Sequence, residues 1–212
     1  MITSATIIQL FILVTGNLAQ FGPEAQDDIV NAHNALRSSI AKGEYVAKGI
    51  SEPSAADMLK ISWDNSVATS AQNYANTCPT GHSHEEGLGE NLFWSWASGS
   101  LEPIDQYGEE AASSWEQEFQ SYGWTSNILD VATFNTGIGH ATQMAWSKTG
   151  LVGCGVKDCG PDPSMNNWNQ VVVVCQYKEQ GNILNAPIYD EGDTCSACPS
   201  GTSCEVEAGL CA

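Results

Sequence analysis

The chain has 212 residues, 42% of them hydrophobic, enough for one ordinary core with a small appendage. Its 25 acids against 7 bases give a net charge of −18, which removes any electrostatic route to nucleic-acid phosphates and disfavours anionic lipid surfaces. The charge speaks to solubility rather than to fold.

The opening MITSATIIQLFILVTGNLAQ carries an almost unbroken apolar run from Ile7 to Val14, too short to cross a bilayer. Small residues follow at Gly16 and Ala19, so residues 1–19 read as a secretory signal peptide, although no Lys or Arg precedes the run. No later run is long enough to span a membrane, and the mature chain is expected to be secreted and extracellular. The eight cysteines, an even number behind such a leader, suggest disulfides in an oxidising compartment. Sequence alone leaves about 105 ways of pairing eight cysteines.

From Glu24 to Gly43, Ile29, Ala32, Leu36 and Ile40 recur at helical spacing, and Gly43 is a plausible stop. WDNSVATSAQNYANTC predicts a second helix with Val67, Ala71, Tyr74 and Cys78 on one face, capped by Asp64 or Asn65. Residues 79–91 form a loop, and NLFWSW after it reads as a short strand. A third helix should begin near Pro103, with Ile104, Tyr107, Ala111, Trp115 and Tyr122 as its stripe and Glu118 on the same face. A fourth is expected over roughly 138–147. Leu151 to Val156 and Gln170 to Tyr177 read as strands, and four consecutive valines in the latter predict burial on both faces. Beyond about Asn185, four cysteines in 17 residues and few large apolar groups predict a disulfide-stapled tail. Helices first and strands late argue for α+β, with helices layered on a small antiparallel sheet.

Two of the four histidines, His82 and His84, lie in the loop GHSHEEGLGEN beside Glu85, Glu86 and Glu90, while His140 opens the fourth helix and Glu118 sits on an apolar face. A carboxylate on a buried face needs a partner. Two histidines with carboxylates match zinc's ligand preferences and equally suit acid–base work. From spacing alone, a solvated loop, a capped helix and a shielded glutamate explain them as well. Ser83 beside His82 is a weak serine-hydrolase signal without a Gly-x-Ser-x-Gly elbow. Cys195-Ser-Ala-Cys198 reads as structural disulfides, and Trp94, Trp96, Trp115 and Trp146 read as core aromatics.

GHATQMAWSKT, VVVCQYKEQGNIL, the pair HS with GENLFW after it, WEQE, and AHNALRSSIAKG occur in the order found in the CAP superfamily, the cysteine-rich secretory, venom allergen-like and pathogenesis-related proteins. The chain resembles that family from about Glu24 to Asn185. It departs at Ala141, where the family has an aromatic, and at Glu179, where it has Pro, Ala, Arg or His. The resemblance implies a three-layer α-β-α sandwich over residues 24–185 with a hinge-like tail, 186–212, of the kind found in helminth activation-associated (Ancylostoma-type) secreted proteins. It implies a cleft tetrad of His82, Glu90, Glu118 and His140, with His82 and His140 as ligands of zinc or another divalent metal; His84 has no family counterpart. It implies the disulfides Cys78–Cys154 and Cys159–Cys175, and for the tail Cys195–Cys204 and Cys198–Cys211. An acidic surface, a cross-linked fold and a His/Glu cleft without an obvious nucleophile lead us to expect a non-enzymatic protein that acts on host or extracellular partners. The alternatives are a carrier of sterol or fatty acid and a metal-dependent hydrolase, and apolar groups on the cleft rim allow a weak homodimer.

Overall fold

The computed structural model describes residues 20–212, so the leader expected at 1–19 lies outside the described residues. Helix α1 (Pro23–Ala41) starts with proline in its first turn, where the missing N–H costs nothing. Its buried face carries Ala25, Ile29, Leu36 and Ile40, but also His33 and Arg37. Short strands β1 (Val46–Ala47) and β2 (Ile50–Ser51) form a hairpin, and β3 (Ser62–Trp63) leads into α2 (Asn65–Ala75). Asp64 caps α2 by accepting from the amides of Ser66 and Val67. Strand β4 (Gly89–Ala97) precedes α3 (Gln106–Tyr122), the four-residue α4 (Val131–Phe134) and α5 (Gly139–Ala145). The hairpin β5 (Leu151–Asp162) and β6 (Trp168–Lys178) follows, then the tail hairpin β7 (Cys204–Glu205) and β8 (Leu210–Cys211).

The main sheet runs β3-β5-β6-β4, so β4, which carries Glu90, is an edge strand. Its long pairs are antiparallel; β3 on β5 is parallel, a departure from the all-antiparallel expectation. The sheet is sandwiched. Val171 and Val173 face a core that includes residues of α1, α3 and α5, while Val172 and Val174 pack with Leu92, Ala71 and Ala75 on the α2 side. The four-valine run is thus buried on both faces, as its composition predicts. α2 lies close against β5: a β-carbon at Gly153 or Gly155 would fall inside the α2 backbone. Gln72 of α2 bonds both the N–H and the C=O of Val156, satisfying a stretch of β5 that β3 is too short to pair.

Other expectations need correction too: α2 ends at Ala75, so Cys78 lies beyond it rather than on its face, and β4 begins at Gly89, inside the expected 79–91 loop. The stripe of the third helix ends at Phe119, and Tyr122 is 56% exposed. That helix also begins at Gln106, because Pro103 and Ile104 form only a turn accepting from Gln106 and Tyr107. The core disulfides are Cys154–Cys175 and Cys78–Cys159, not Cys78–Cys154 and Cys159–Cys175. Register decides this: Cys154 and Cys175 are directly opposed on β5 and β6, with Cα atoms 4.1 Å apart. Cys159 is the extra residue of β5 where the register shifts between Asp158 and Gly160; it packs on the α2 side and bonds Cys78. In the tail the bridges are Cys195–Cys204 and Cys198–Cys211, the expected pairs.

The tail is sewn to the sandwich by backbone bonds: Ala56 to Asp190, Gly192 to Ser54, Ala197 to Ala56, and the reciprocal set between Met58, Lys60 and Cys211. Leu210 is part of the main core, and Cys211 beside it is buried.

Candidate functional site

The site straddles the start of β4. His82 and Ser83 lie in the loop after α2; Glu90 is the second residue of β4 and faces the α2 side with Leu92. From the other layer, Glu118 stands on α3 one turn after Trp115, and His140 is the second residue of α5. All four line one cavity of about 240 Å3, together with Asn91, Phe134 and Asn182.

Each histidine is held by a glutamate. His140 Nδ1 lies 2.6 Å from Glu118 Oε1, while the amides of His140 and Ala141 both donate to Glu118 Oε2 at 3.0 Å. Those two amides belong to the first turn of α5, which leaves its N–H groups without helical partners. Trp115 stacks on the imidazole, with centroids 6.0 Å apart and planes at 23°. His82 Nδ1 lies 3.1 Å from Glu90 Oε1, which also accepts from the Ser83 amide at 2.7 Å. Glu90 Oε2 accepts from the Ser83 hydroxyl at 2.6 Å and from Gln176 Nε2 at 2.9 Å. Burial penalises the charge of Glu90, but the bonds from His82, Ser83 and Gln176 outweigh it and hold the carboxyl below its ordinary range.

A carboxylate only accepts, so each Nδ1 carries a proton, and in the neutral ring each Nε2 presents its lone pair. The carboxylates lie deeper than the rings: side-chain exposure is 7% for Glu90 and 16% for Glu118, against 47% for His82 and 32% for His140. Carboxylate behind, imidazole in front and Nε2 open is the arrangement in which protein histidines ligate metals. The donor set therefore fits a divalent cation such as zinc. Among the described residues, the one group of three potential ligands already within 4.8 Å of each other is Cys195, Cys198 and Cys211, and all three are disulfide-bonded.

His84, with Glu85 and Glu86, lines an adjoining groove of about 560 Å3 whose other wall includes Phe134 and Leu184. It does not line the tetrad cavity. Ser83 donates to Glu90 rather than to a histidine, so the neighbouring Ser-His pair forms no dyad. Sequence reasoning missed Gln176, Ser83 as a clamp, and Asn91. Gln176 lies opposite Glu90 on β6, a pairing set by strand register and not by any local sequence signal.

The family model for the cysteine-rich secretory protein family, CAP, matches residues 30–177. The Ancylostoma secreted protein of Ancylostoma caninum is 38% identical over 88% of this chain, and the chain spans 43% of that relative's length. Cysteine-rich secretory protein 3 of Equus caballus is 33% identical over 89% of this chain and 69% of its own. The solved structure of NaASP2 with Zn2+ superposes with a TM-score of 0.81 at 36% identity, covering 91% of this chain and 97% of that one. The site therefore sits within a fold and a sequence that belong together, and the chain is a member of the CAP, or cysteine-rich secretory protein, family.

Proposed function

We propose that this is a secreted extracellular protein that works by binding rather than by catalysis, with a cleft that takes a divalent metal ion between His82 and His140. The observation that carries the metal reading is the pairing of each Nδ1 with a glutamate, which leaves two Nε2 lone pairs on one cavity. Similarity to a structure solved with Zn2+ supports zinc as the ion. Four disulfides and a family of secreted relatives support the extracellular reading. When bound, such an ion supplies a fixed positive charge and a Lewis acid at the mouth of the cleft.

The chain's own residues are arranged to hold. Glu118 is occupied by three donors and Glu90 by four, so neither is placed as an unengaged general base. The Ser83 hydroxyl is committed to Glu90. These engagements favour a binding role over hydrolysis.

Titration calorimetry with zinc tests the reading. Saturable one-to-one binding is expected at pH 7.5, weakening on acidification because protonated imidazole cannot ligate. The His82→Ala, His140→Ala double variant should lose it. Unchanged binding in that variant would refute the assignment.

A further inference from the structure

The two halves of the cleft hang from different layers. Alternation along β4 places Glu90 on the α2 face and Asn91 on the face towards α1, α3 and α5. Glu90 orients His82, and Glu118 on α3 orients His140 on α5. A cation shared by the two rings requires a fixed span between structures that have no covalent reason to stay in register.

Asn91 joins them. Its Nδ2 donates to the backbone carbonyl of His140 at 3.0 Å, a direct hydrogen bond between β4 and the first turn of α5. The same nitrogen lies 3.2 Å from the Tyr177 hydroxyl. That hydroxyl donates to His33 Nε2 at 2.9 Å, and His33 Nδ1 donates to the Ile29 carbonyl at 2.7 Å. Asn91 is 1% exposed, and His33 and Tyr177 are fully buried. Both amide hydrogens of Asn91 are therefore assigned, and the group is braced from behind by a chain that ends on the α1 backbone. The residue that holds His82 and the residue that holds the His140 turn are neighbours on one strand.

We propose that Asn91, braced by Tyr177 and His33, is the positioning residue that sets the span between His82 and His140. This rests on the metal reading for its consequence but not for its geometry. Asn91→Leu keeps the volume and removes the donor; Asn91→Ser, too short to reach, serves if the leucine variant does not fold. In either, zinc affinity should fall tenfold or more. In a His140→Ala background, where no span remains to be set, the same change should alter the residual affinity by less than twofold. Equal losses in both backgrounds would mark a general structural effect and overturn the proposal, as would no loss in either.

A second readout needs no metal. Amide hydrogen exchange at His140 and Ala141, whose N–H groups bind Glu118, should quicken tenfold or more in the Asn91 variant. The Ser83 amide, bound to Glu90, should change by less than twofold. Should the wild-type chain take up no zinc, the metal reading falls and the Asn91 proposal is decided by exchange alone: stationary rates at His140 and Ala141 sink it.

Discussion

His33 shows how much a buried face can hide at the scale of one residue. In the sequence it sits in a helix whose spacing picks out Ile29, Leu36 and Ile40. In the structure it lies on that face, fully buried, with both ring nitrogens satisfied. Burial, with a small contribution from the charge of Arg37, lowers its pKa from 6.5 to about 4; the bond to Ile29 opposes this. The folded state therefore keeps His33 neutral where the unfolded chain takes up a proton. Its contribution is present above pH 6.5 and is lost as pH falls towards 4. At about 1.4 kcal/mol per pH unit, the loss amounts to about 3 kcal/mol. Glu52 acts in the opposite sense. Burial and then the charge of Glu191 raise it to about 7, so it favours the fold at low pH and opposes it as pH rises from 4.5 to 7. Comparing urea unfolding of wild type and His33→Gln at pH 7, 5.5 and 4 separates the two. The variant should show a shallower decline in stability on acidification, and an identical slope would contradict the burial argument.

The same scale explains what was legible in the cleft. His82 and His84 are equivalent as residue types two positions apart, and no spacing rule ranks them. Family motifs point to His82, which lines both the tetrad cavity and the adjoining groove, whereas His84 lines the groove and not the cavity. Gln176 and Asn91 carry no signal of their own. Their roles depend on which residues face each other across β4 and β6, and strand register is not written in periodicity.

Among the elements, α1 is the one whose role the sequence understates. Its Arg37, the single arginine of the chain, is fully buried and makes six hydrogen bonds to five carbonyls, those of Leu59, Met144, Trp146, Ser147 and Thr149. It thereby ties α1 to the end of α5, the helix that carries His140, and to the turn that enters β5. A planar five-donor group suits this convergence, and an ammonium does not. Arg37→Met should cost about 3 kcal/mol or more by orphaning buried carbonyls, and Arg37→Lys an intermediate amount, measured by chemical denaturation. A loss under about 0.5 kcal/mol for methionine, the range of ordinary surface changes, would contradict this role.

The long helices and the β5–β6 hairpin were legible because apolar spacing and the valine run are local signals. β1, β2, β3 and α4, each two to four residues long, were not, since elements so short are made by their neighbours. The core disulfides failed for the same reason as Gln176: Cys154–Cys175 is a consequence of register.

At the scale of the molecule, the tail is less separate than its composition suggests. Its hairpin and two disulfides pack onto α1 and the 54–60 segment, with Leu210 in the common core and Lys60 bonded to Glu205. That ion pair is exposed and contributes little; the backbone bonds and buried Leu210 carry the attachment. The sandwich then has one consequence for binding: it brings a loop after α2, an edge strand and two helices from the opposite layer to a single cavity. That convergence is what would bring two histidines to one metal ion. X-ray absorption at the zinc edge on the protein loaded with one equivalent of zinc tests it most directly. Two imidazole nitrogens are expected at about 2.0–2.1 Å from the metal, with the signature reduced to one in His82→Ala and in His140→Ala. A zinc environment of oxygens alone, or one unaltered by both substitutions, would contradict it.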